Sequence, residues 1–81
     1  MKTIYNEGYV RLIKAFRQRR IKLGLRQADV AVKMGVHRAI ISKTELHERR
    51  LDLLETFKLG QVLGMTLQQI QKILKQGMGT R

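Results

Sequence analysis

Apolar residues recur at the three- and four-residue spacing of a helix along almost the whole chain. The chain has no proline and shows no internal repeat of about 20 to 50 residues. This pattern predicts an all-α fold of five helices. We expect the first from about Asn6 or Glu7 to Leu23, the second from about Gln27 to Met34, and the third from about Arg38 to Leu46.

Capping pairs mark the start of the fourth and fifth helices. Asp52 and Glu55 have the three-residue spacing of a capping box, as do Thr66 and Gln69. Gly60 falls in the middle of the fourth helix, at a cost of about 1 kcal/mol relative to alanine. We therefore expect a neighbouring helix to approach closely at Gly60.

Residues 27–45 form two short amphipathic segments that meet at Gly35. Glycine permits the positive φ that a tight turn between helices needs. The small side chain of Ala31 allows the two helices to cross at close range. The pattern therefore predicts a helix-turn-helix at helices two and three. Four residues of the second segment share the face that points away from the core: Arg38, Ala39, Ser42 and Lys43.

The chain has 81 residues, which is the size of a single domain over 1–81. We expect its core over about 9–75 and a disordered tail over 76–81. A domain of this size buries only about 60 to 65 per cent of its surface on folding, so dimerisation would add stability.

The formal net charge is +11, from 17 lysines and arginines against six acidic residues. Residues 11–50 hold twelve of these basic side chains and three of the acidic ones, so we expect the charge to concentrate around the helix-turn-helix. Such a surface attracts polyanions, and the release of counterions from phosphates gives affinity for nucleic acid. A short cationic helix face fits a groove of double-stranded DNA, which is the partner we expect.

The composition argues against several other classes of protein. Cysteine is absent, and two histidines alone do not make a metal site, so we expect neither a metal nor a cofactor. The apolar runs are too short for a bilayer span or a signal peptide, so we expect a cytoplasmic protein, associated with the nucleoid through DNA. The sequence shows no nucleophile with an adjacent base, no paired carboxylates in a plausible cleft and no glycine-rich phosphate loop. We therefore do not expect an enzyme.

A different interpretation makes the first helix a basic amphipathic helix at anionic membranes, because Arg11, Lys14, Arg17 and Lys22 lie opposite its apolar stripe. The aromatic residues are few and are spaced for a core, which favours a domain without a membrane partner.

Seven short elements occur in order along the chain. They are PheArgGln at 16–18, GlyLeuXaaGln at 24–27, ValAla at 30–31, MetGlyVal at 34–36, IleSerLys at 41–43, GluArgArgLeuAsp at 48–52 and LeuGly at 63–64. In this order and spacing, roughly residues 12–74 resemble the Cro and phage-repressor (Cro/C1-type, XRE) family of helix-turn-helix regulators. The resemblance implies a five-helix, lambda-repressor-like DNA-binding domain.

The resemblance further implies that a recognition helix over about 38–46 enters the major groove, with Arg38, Ala39, Ser42 and Lys43 reading bases. Arg38 would donate two hydrogen bonds to guanine, which is worth about 1 to 3 kcal/mol of discrimination. The alternative is that Arg38 contacts phosphate alone. Ile40 either touches a thymine methyl group or belongs to the core.

Phosphate contacts are implied for residues on either side of the recognition helix: Arg26, Gln27, His37, Arg49 and Arg50. Gln27 begins the second helix, where exposed amides and the helix dipole favour an anion. For His37 a solvated position is the alternative. Arg20 and Glu45 match a pair that, in the family, ties the third helix to the first as a structural salt bridge.

Arg26 departs from the serine, threonine or asparagine that is usual in the family, and three further residues also leave its pattern. Arg19 occupies a position that is usually apolar, which implies a rotated first helix or a side chain that extends to solvent. Leu46 replaces a residue that is often polar and near phosphate. His47 replaces the glycine that normally ends the third helix, which implies a strained exit or a longer helix.

The resemblance implies a homodimeric transcriptional regulator, acting as a repressor on a near-palindromic operator. The candidate dimer residues lie on the fifth helix: Leu67, Ile70, Ile73 and Leu74. They form either the dimer surface or the closing layer of the monomer's own core. Two alternative functions remain open, namely a DNA-binding antitoxin whose main partner is a protein, and a nonspecific basic nucleic-acid-binding module.

Overall fold

The computed structural model describes residues 6–77, and within this range it contains five helices and no strand. The helices are α1 (Glu7–Lys22), α2 (Gln27–Met34), α3 (Arg38–Glu45), α4 (Leu53–Val62) and α5 (Leu67–Gly77). Each boundary lies within about two residues of its prediction, which is the usual ambiguity of a helix end. The predicted all-α fold with a helix-turn-helix at α2 and α3 is confirmed.

Both predicted capping boxes are present. At α4 the Glu55 amide donates to Asp52 Oδ1 over 2.7 Å, and the Asp52 amide donates to Glu55 Oε1 over 3.0 Å. At α5 the Gln69 amide donates to Thr66 Oγ1 over 3.1 Å, and the Thr66 amide donates to Gln69 Oε1 over 2.8 Å. Two otherwise unpaired amides are thus satisfied at the start of each helix, which fixes where α4 and α5 begin.

Helix α1 lies between α3 on one side and α5 on the other, and the core forms along its apolar stripe. The largest fully buried side chains come from α1, α2 and the end of α4: Leu12, Ile13, Val30 and Leu63. Their burial holds α2 and α3 on α1, which positions the helix-turn-helix.

Helix α5 closes this core. Ile70 is buried, and Ile73 and Leu74 are partly buried against the core cluster. These three predicted dimer residues therefore pack within the monomer, which is the second of the two arrangements that the sequence left open. Of the four candidates, only Leu67 is exposed.

Two glycines allow close approach between helices. A Cβ at Gly60 would lie 2.9 Å from Ile70 Cδ1, which confirms the predicted contact with a neighbouring helix. A Cβ at Gly77 would lie 2.4 Å from Gly8 Cα, so the end of α5 rests directly on the start of α1. Helix α5 accordingly continues into the predicted tail as far as Gly77, and residues 78–81 of that tail lie outside the described range.

Arg19 does not extend to solvent and does not rotate α1. Its Nε donates to the Leu63 carbonyl over 2.9 Å, and Leu63 is the C-cap of α4. A cation at the C-terminal end of a helix satisfies a free carbonyl and complements the helix dipole. This contact explains a charged residue at a position that is usually apolar.

No helix within residues 6–77 is long and apolar enough to cross a membrane.

Candidate nucleic-acid interface

A left-handed glycine joins the two helices of the motif. Gly35 has φ +71°, and the following amide, of Val36, donates to the Ala31 carbonyl over 3.0 Å. This bond and the positive φ end α2 and redirect the chain into α3 within three residues. Ala31 is buried at the crossing, as the sequence predicted from its small size.

Helix α3 has one buried and one outward face. Ile41 and Thr44 are buried, and the Thr44 hydroxyl donates to the Ile40 carbonyl over 2.6 Å. The predicted base-reading residues lie on the outer part of the helix, where Arg38 and Lys43 are exposed and Ala39 and Ser42 are half-buried. Ile40, whose place was left open, is half-buried at the border between the two faces.

Leu46 belongs to the same outward face, and the sequence interpretation gave it no role there. It follows Ala39 by seven residues and Lys43 by three, so the three side chains share one side of the helix. Leu46 is 63% exposed at the C-cap of α3. The helical spacing alone contained this signal, but the departure from the family pattern obscured it.

His37 caps α3 with its side chain. Its Nδ1 accepts a hydrogen bond from the Ala39 amide over 3.1 Å, so the ring carries a hydrogen on Nε2. Nε2–H is the group left to donate to a phosphate. The ring is exposed, which fits both a solvated position and a phosphate contact. The contact seen in the structure is the cap of α3.

Glu45 is the centre of a polar network that ties α3 to α1 and α2. Arg20 binds it through two hydrogen bonds, Nε to Oε2 over 2.7 Å and Nη2 to Oε1 over 2.9 Å. Gln27 Nε2 donates to Oε1 over 3.0 Å, and Arg17 Nε lies 3.8 Å from the same oxygen. The structure thus contains the predicted Arg20–Glu45 pair, with Arg20 also donating to the Leu25 carbonyl over 2.9 Å.

The side chains at the start of α2 already have protein partners. The Gln27 amide nitrogen is held by Glu45. The Arg26 guanidinium binds the Asp29 carboxylate, with Nη2 to Oδ1 at 2.9 Å, and the Arg26 backbone amide donates to Oδ2 over 2.7 Å. Arg26 is not itself a side-chain N-cap. Instead Asp29 reaches back to cap the helix, which the three-residue spacing of the two positions allows.

The loop after α3 is organised by an ion pair and by an aromatic ring. Arg49 makes a bidentate contact with Glu55, at 3.0 and 2.6 Å. This contact raises the pKa of Arg49 and lowers that of Glu55. The Arg50 guanidinium carbon lies 4.7 Å from the centre of the Tyr9 ring, and the Tyr9 hydroxyl accepts from the Leu51 amide over 3.0 Å.

Tyr9 therefore fixes the loop that carries both predicted phosphate-binding arginines, a role that the sequence did not reveal. It was recognised as a core residue of α1, and nothing in the spacing indicated that its hydroxyl bonds to a residue 42 positions away. Arg49, for its part, can bind a phosphate only while it shares or releases Glu55.

His47 confirms the strained alternative at the exit from α3. It is the only non-glycine with positive φ in residues 6–77, at +61°, and its Nδ1 is buried without a hydrogen-bond partner. Its ring contacts the Tyr9 ring edge-on, with the centres 6.4 Å apart.

We expect His47→Gly to be more stable than His47→Ala by about 1 kcal/mol in the free energy of unfolding. Both variants lose the Tyr9 contact and the unpaired nitrogen, but only alanine keeps a Cβ in the left-handed conformation. Denaturant unfolding followed by circular dichroism measures the difference. Equal stability of the two variants would contradict a backbone origin for the strain.

We also expect the Arg26–Asp29 contact to make stability depend on acid pH. The hydrogen bonds from Arg26 lower the pKa of Asp29 from 3.8 to about 2. Because the folded pKa is the lower one, the contribution is complete above about pH 4 and declines as the pH falls towards 2. The stability gap between the wild type and Asp29→Asn should therefore narrow from pH 5 to about pH 2. A gap that stays constant over this range would rule out the linkage.

Among residues 6–77 no group of three or more histidine and acidic side chains is placed to hold a metal ion.

One family model, described as Helix-turn-helix, matches residues 16–70 of the chain. The match covers the second half of α1, the whole of α2, α3 and α4, and the start of α5. No curated protein and no solved structure gives a significant match.

Proposed function

The chain belongs to the Cro/C1-type helix-turn-helix family of DNA-binding proteins, and on that premise we propose that it is a homodimeric transcriptional repressor that reads a near-palindromic operator. The two subunits place their α3 helices in successive major grooves on one face of the duplex, so that the two helices lie about 34 Å apart.

The observation that carries this proposal is the outward face of α3. Arg38 and Lys43 are exposed there, beside the short side chains of Ala39 and Ser42, so the helix is narrow and cationic where it would meet the groove. Arg38 makes no ion pair within residues 6–77, which leaves its planar group able to bind guanine O6 and N7. Leu46 adds an apolar contact for a thymine methyl group or a sugar.

Phosphate contacts on either side would hold α3 in register. Before α3, the first amides of α2 and His37 Nε2–H are the donors, because the side chains of Arg26 and Gln27 are held by acidic residues. After α3, Arg49 and Arg50 are the candidates: the Tyr9 ring lies against the Arg50 guanidinium, and Arg49 would share its guanidinium between Glu55 and a phosphate.

An apolar patch supports the dimer. We call it the α4 patch, and its members line one cleft and are 39–86% exposed: Leu53, Leu54, Phe57 and Leu67. Residues 53–66 carry one acidic and one basic side chain, whereas the chain as a whole carries +11. Two strongly cationic copies repel each other least where the local charge is neutral, so the α4 patch is the face at which a second copy can dock.

The function is tested by selecting duplexes from a random pool and comparing the affinity of the best sequence with that of random DNA over a salt series. We expect a preference of about 1,000-fold or more, as for specific regulators. A preference below about tenfold for every sequence would instead indicate the nonspecific module.

The dimer is tested separately by sedimentation equilibrium of the wild type, Leu54→Gln and Val32→Gln. Val32 is a matched control because it is 80% exposed and apolar but lies on α2, outside the α4 patch. We expect Leu54→Gln to weaken self-association at least about tenfold and Val32→Gln to leave it unchanged. A monomeric wild type, or equal weakening by both variants, would exclude this interface.

A further inference from the structure

Much of the positive charge is carried by helices outside the helix-turn-helix. Residues 25–52, which contain α2, α3 and the following loop, hold six basic and four acidic side chains, a net +2. Helices α1 and α5 together hold eight basic side chains and one acidic side chain, a net +7. Arg17 and Arg20 of α1 contact Glu45 of α3 and so lie at the helix-turn-helix, whereas the other six of these basic side chains carry charge beyond residues 25–52. Part of the charge expected around the helix-turn-helix therefore belongs to the rest of α1.

The positions of the acidic residues increase this difference in charge between the helix-turn-helix and the other helices. Three of the four ion-pair contacts of residues 6–77 involve the helix-turn-helix directly, through Glu45 or Asp29. In contrast, five exposed basic residues of α1 and α5 make no ion pair with any carboxylate in this range. We call them the α1/α5 basic face: Arg11, Lys14, Lys22, Lys72 and Lys75.

Contacts at both ends show that the two helices run antiparallel and lie side by side. Arg11 Cδ lies 2.8 Å from the position that a Cβ would take at Gly77, at the end of α5. Lys22 lines a groove with Gly64 and Gln69, at the start of α5. Lys72 and Lys75 line an open surface depression of α5 together with three glutamines. The face therefore extends along α1 for about 17 Å, the rise of eleven helical residues.

We propose that the α1/α5 basic face is a second binding site for double-stranded DNA, so that one molecule bridges two duplexes. Helix α1 separates the two sites, since its Arg17 and Arg20 face Glu45 of α3 while its Gly8 and Arg19 face α5 and the end of α4. The inference rests on the proposed function for the first duplex, which α3 binds, and adds a site that reads no sequence.

The chemistry of the face favours a duplex over an anionic membrane. Lysines and an arginine without acidic partners suit phosphates, which line a duplex at one negative charge per about 1.7 Å of its axis. A membrane-bound helix also needs apolar side chains to insert between lipids. The residues that line the same depression as Lys72 and Lys75 are glutamines. The exposed large apolar side chains of α1 and α5 are Ile21 and Leu67, each at one end of its helix, which is too little apolar surface for insertion.

The experiment is a capture assay with two duplexes. The selected duplex, about 30 base pairs long, is fixed to beads and saturated with the full chain, and a fluorescent random duplex of equal length is then added at about 100 mM salt. The variants are Lys72→Gln with Lys75→Gln, the charge-preserving Lys72→Arg with Lys75→Arg, and the control Lys33→Gln with Lys58→Gln. The control removes the same charge from exposed lysines of α2 and α4.

We expect the double variant Lys72→Gln with Lys75→Gln to reduce capture of the second duplex at least about fivefold. The slope of log affinity for that duplex against log salt concentration should also become shallower by about 2. Binding of the first duplex should change by less than about threefold, and both the arginine variant and the Lys33/Lys58 control should capture like the wild type.

Three results would overturn the proposal while leaving the first site intact. They are a wild type that binds the fixed duplex but captures no second one, equal loss of capture in the Lys33/Lys58 control, and displacement of the second duplex by vesicles rich in phosphatidylserine. If the wild type binds no fixed duplex at all, the proposed function itself fails, which is a separate outcome.

Discussion

Glu45→Ala is expected to lower the free energy of unfolding by about 3 kcal/mol, the largest loss of stability that a single change at this interface should cause. The Glu45 and Arg20 side chains are only 10% and 12% exposed, so water cannot replace the missing carboxylate fully. Arg20 would keep the Leu25 carbonyl alone, and the Gln27 amide would lose its acceptor. Denaturant unfolding monitored by circular dichroism measures the loss.

Two controls separate the network from a general effect of charge. Glu48→Ala removes an exposed carboxylate three residues further on and should change stability by no more than about 0.5 kcal/mol. Replacing Arg20 and Glu45 together by methionine should recover much of the loss, because it leaves no buried charge without a partner. If Glu45→Ala is no more destabilising than Glu48→Ala, the network does not hold α3 in place.

The helices could be predicted because their signals are local. A capping box needs residues only three positions apart, and Asp52 with Glu55 marks the start of α4 in the sequence as it does in the structure. Gly35 likewise marks its own turn, since only the backbone of that residue must adopt positive φ. The Arg20–Glu45 pair joins residues 25 positions apart, and it was reached through the family resemblance rather than through spacing.

Such local signals could not predict which partner an exposed charged side chain would bind. Arg49 lies beside Arg50, and the sequence interpretation assigned both the same role, but one binds Glu55 and the other lies over the Tyr9 ring. The choice depends on how α1 and α4 present their side chains to the loop. A count of charge along the chain is limited in the same way, because it does not show which basic residues of α1 face α3 and which face away from it.

The role of helix α5 also could not be predicted from the sequence. Its apolar stripe is equally suited to a partner and to the chain's own core, and contacts such as that of Gly77 with Gly8 are needed to show that α5 lies along α1. With the stripe used inside the monomer, the apolar cleft that stays exposed is formed by α4 residues and Leu67, where the sequence had placed only one of its dimer candidates.

Arg38→Ala is expected to reduce the preference for guanine at one operator position by about 10- to 100-fold, which corresponds to about 1 to 3 kcal/mol of discrimination. Arg38 is exposed at the first position of α3 and makes no ion pair in residues 6–77, so its loss should disturb neither the core nor the Glu45 network. Competition binding with the selected operator and its single-base variants measures the preference at each position.

Arg38→Lys distinguishes base reading from phosphate contact. Lysine keeps the charge but cannot form the planar pair of hydrogen bonds that arginine makes with guanine O6 and N7. If Arg38 reads a base, both variants lose preference at the same position, while lysine retains most of the affinity for random duplexes. If Arg38 contacts phosphate alone, lysine keeps the full preference, and alanine weakens all duplexes alike with a salt slope lower by about 1. That second pattern would remove Arg38 from the base-reading face and leave Ser42, Lys43 and Leu46 to supply the discrimination.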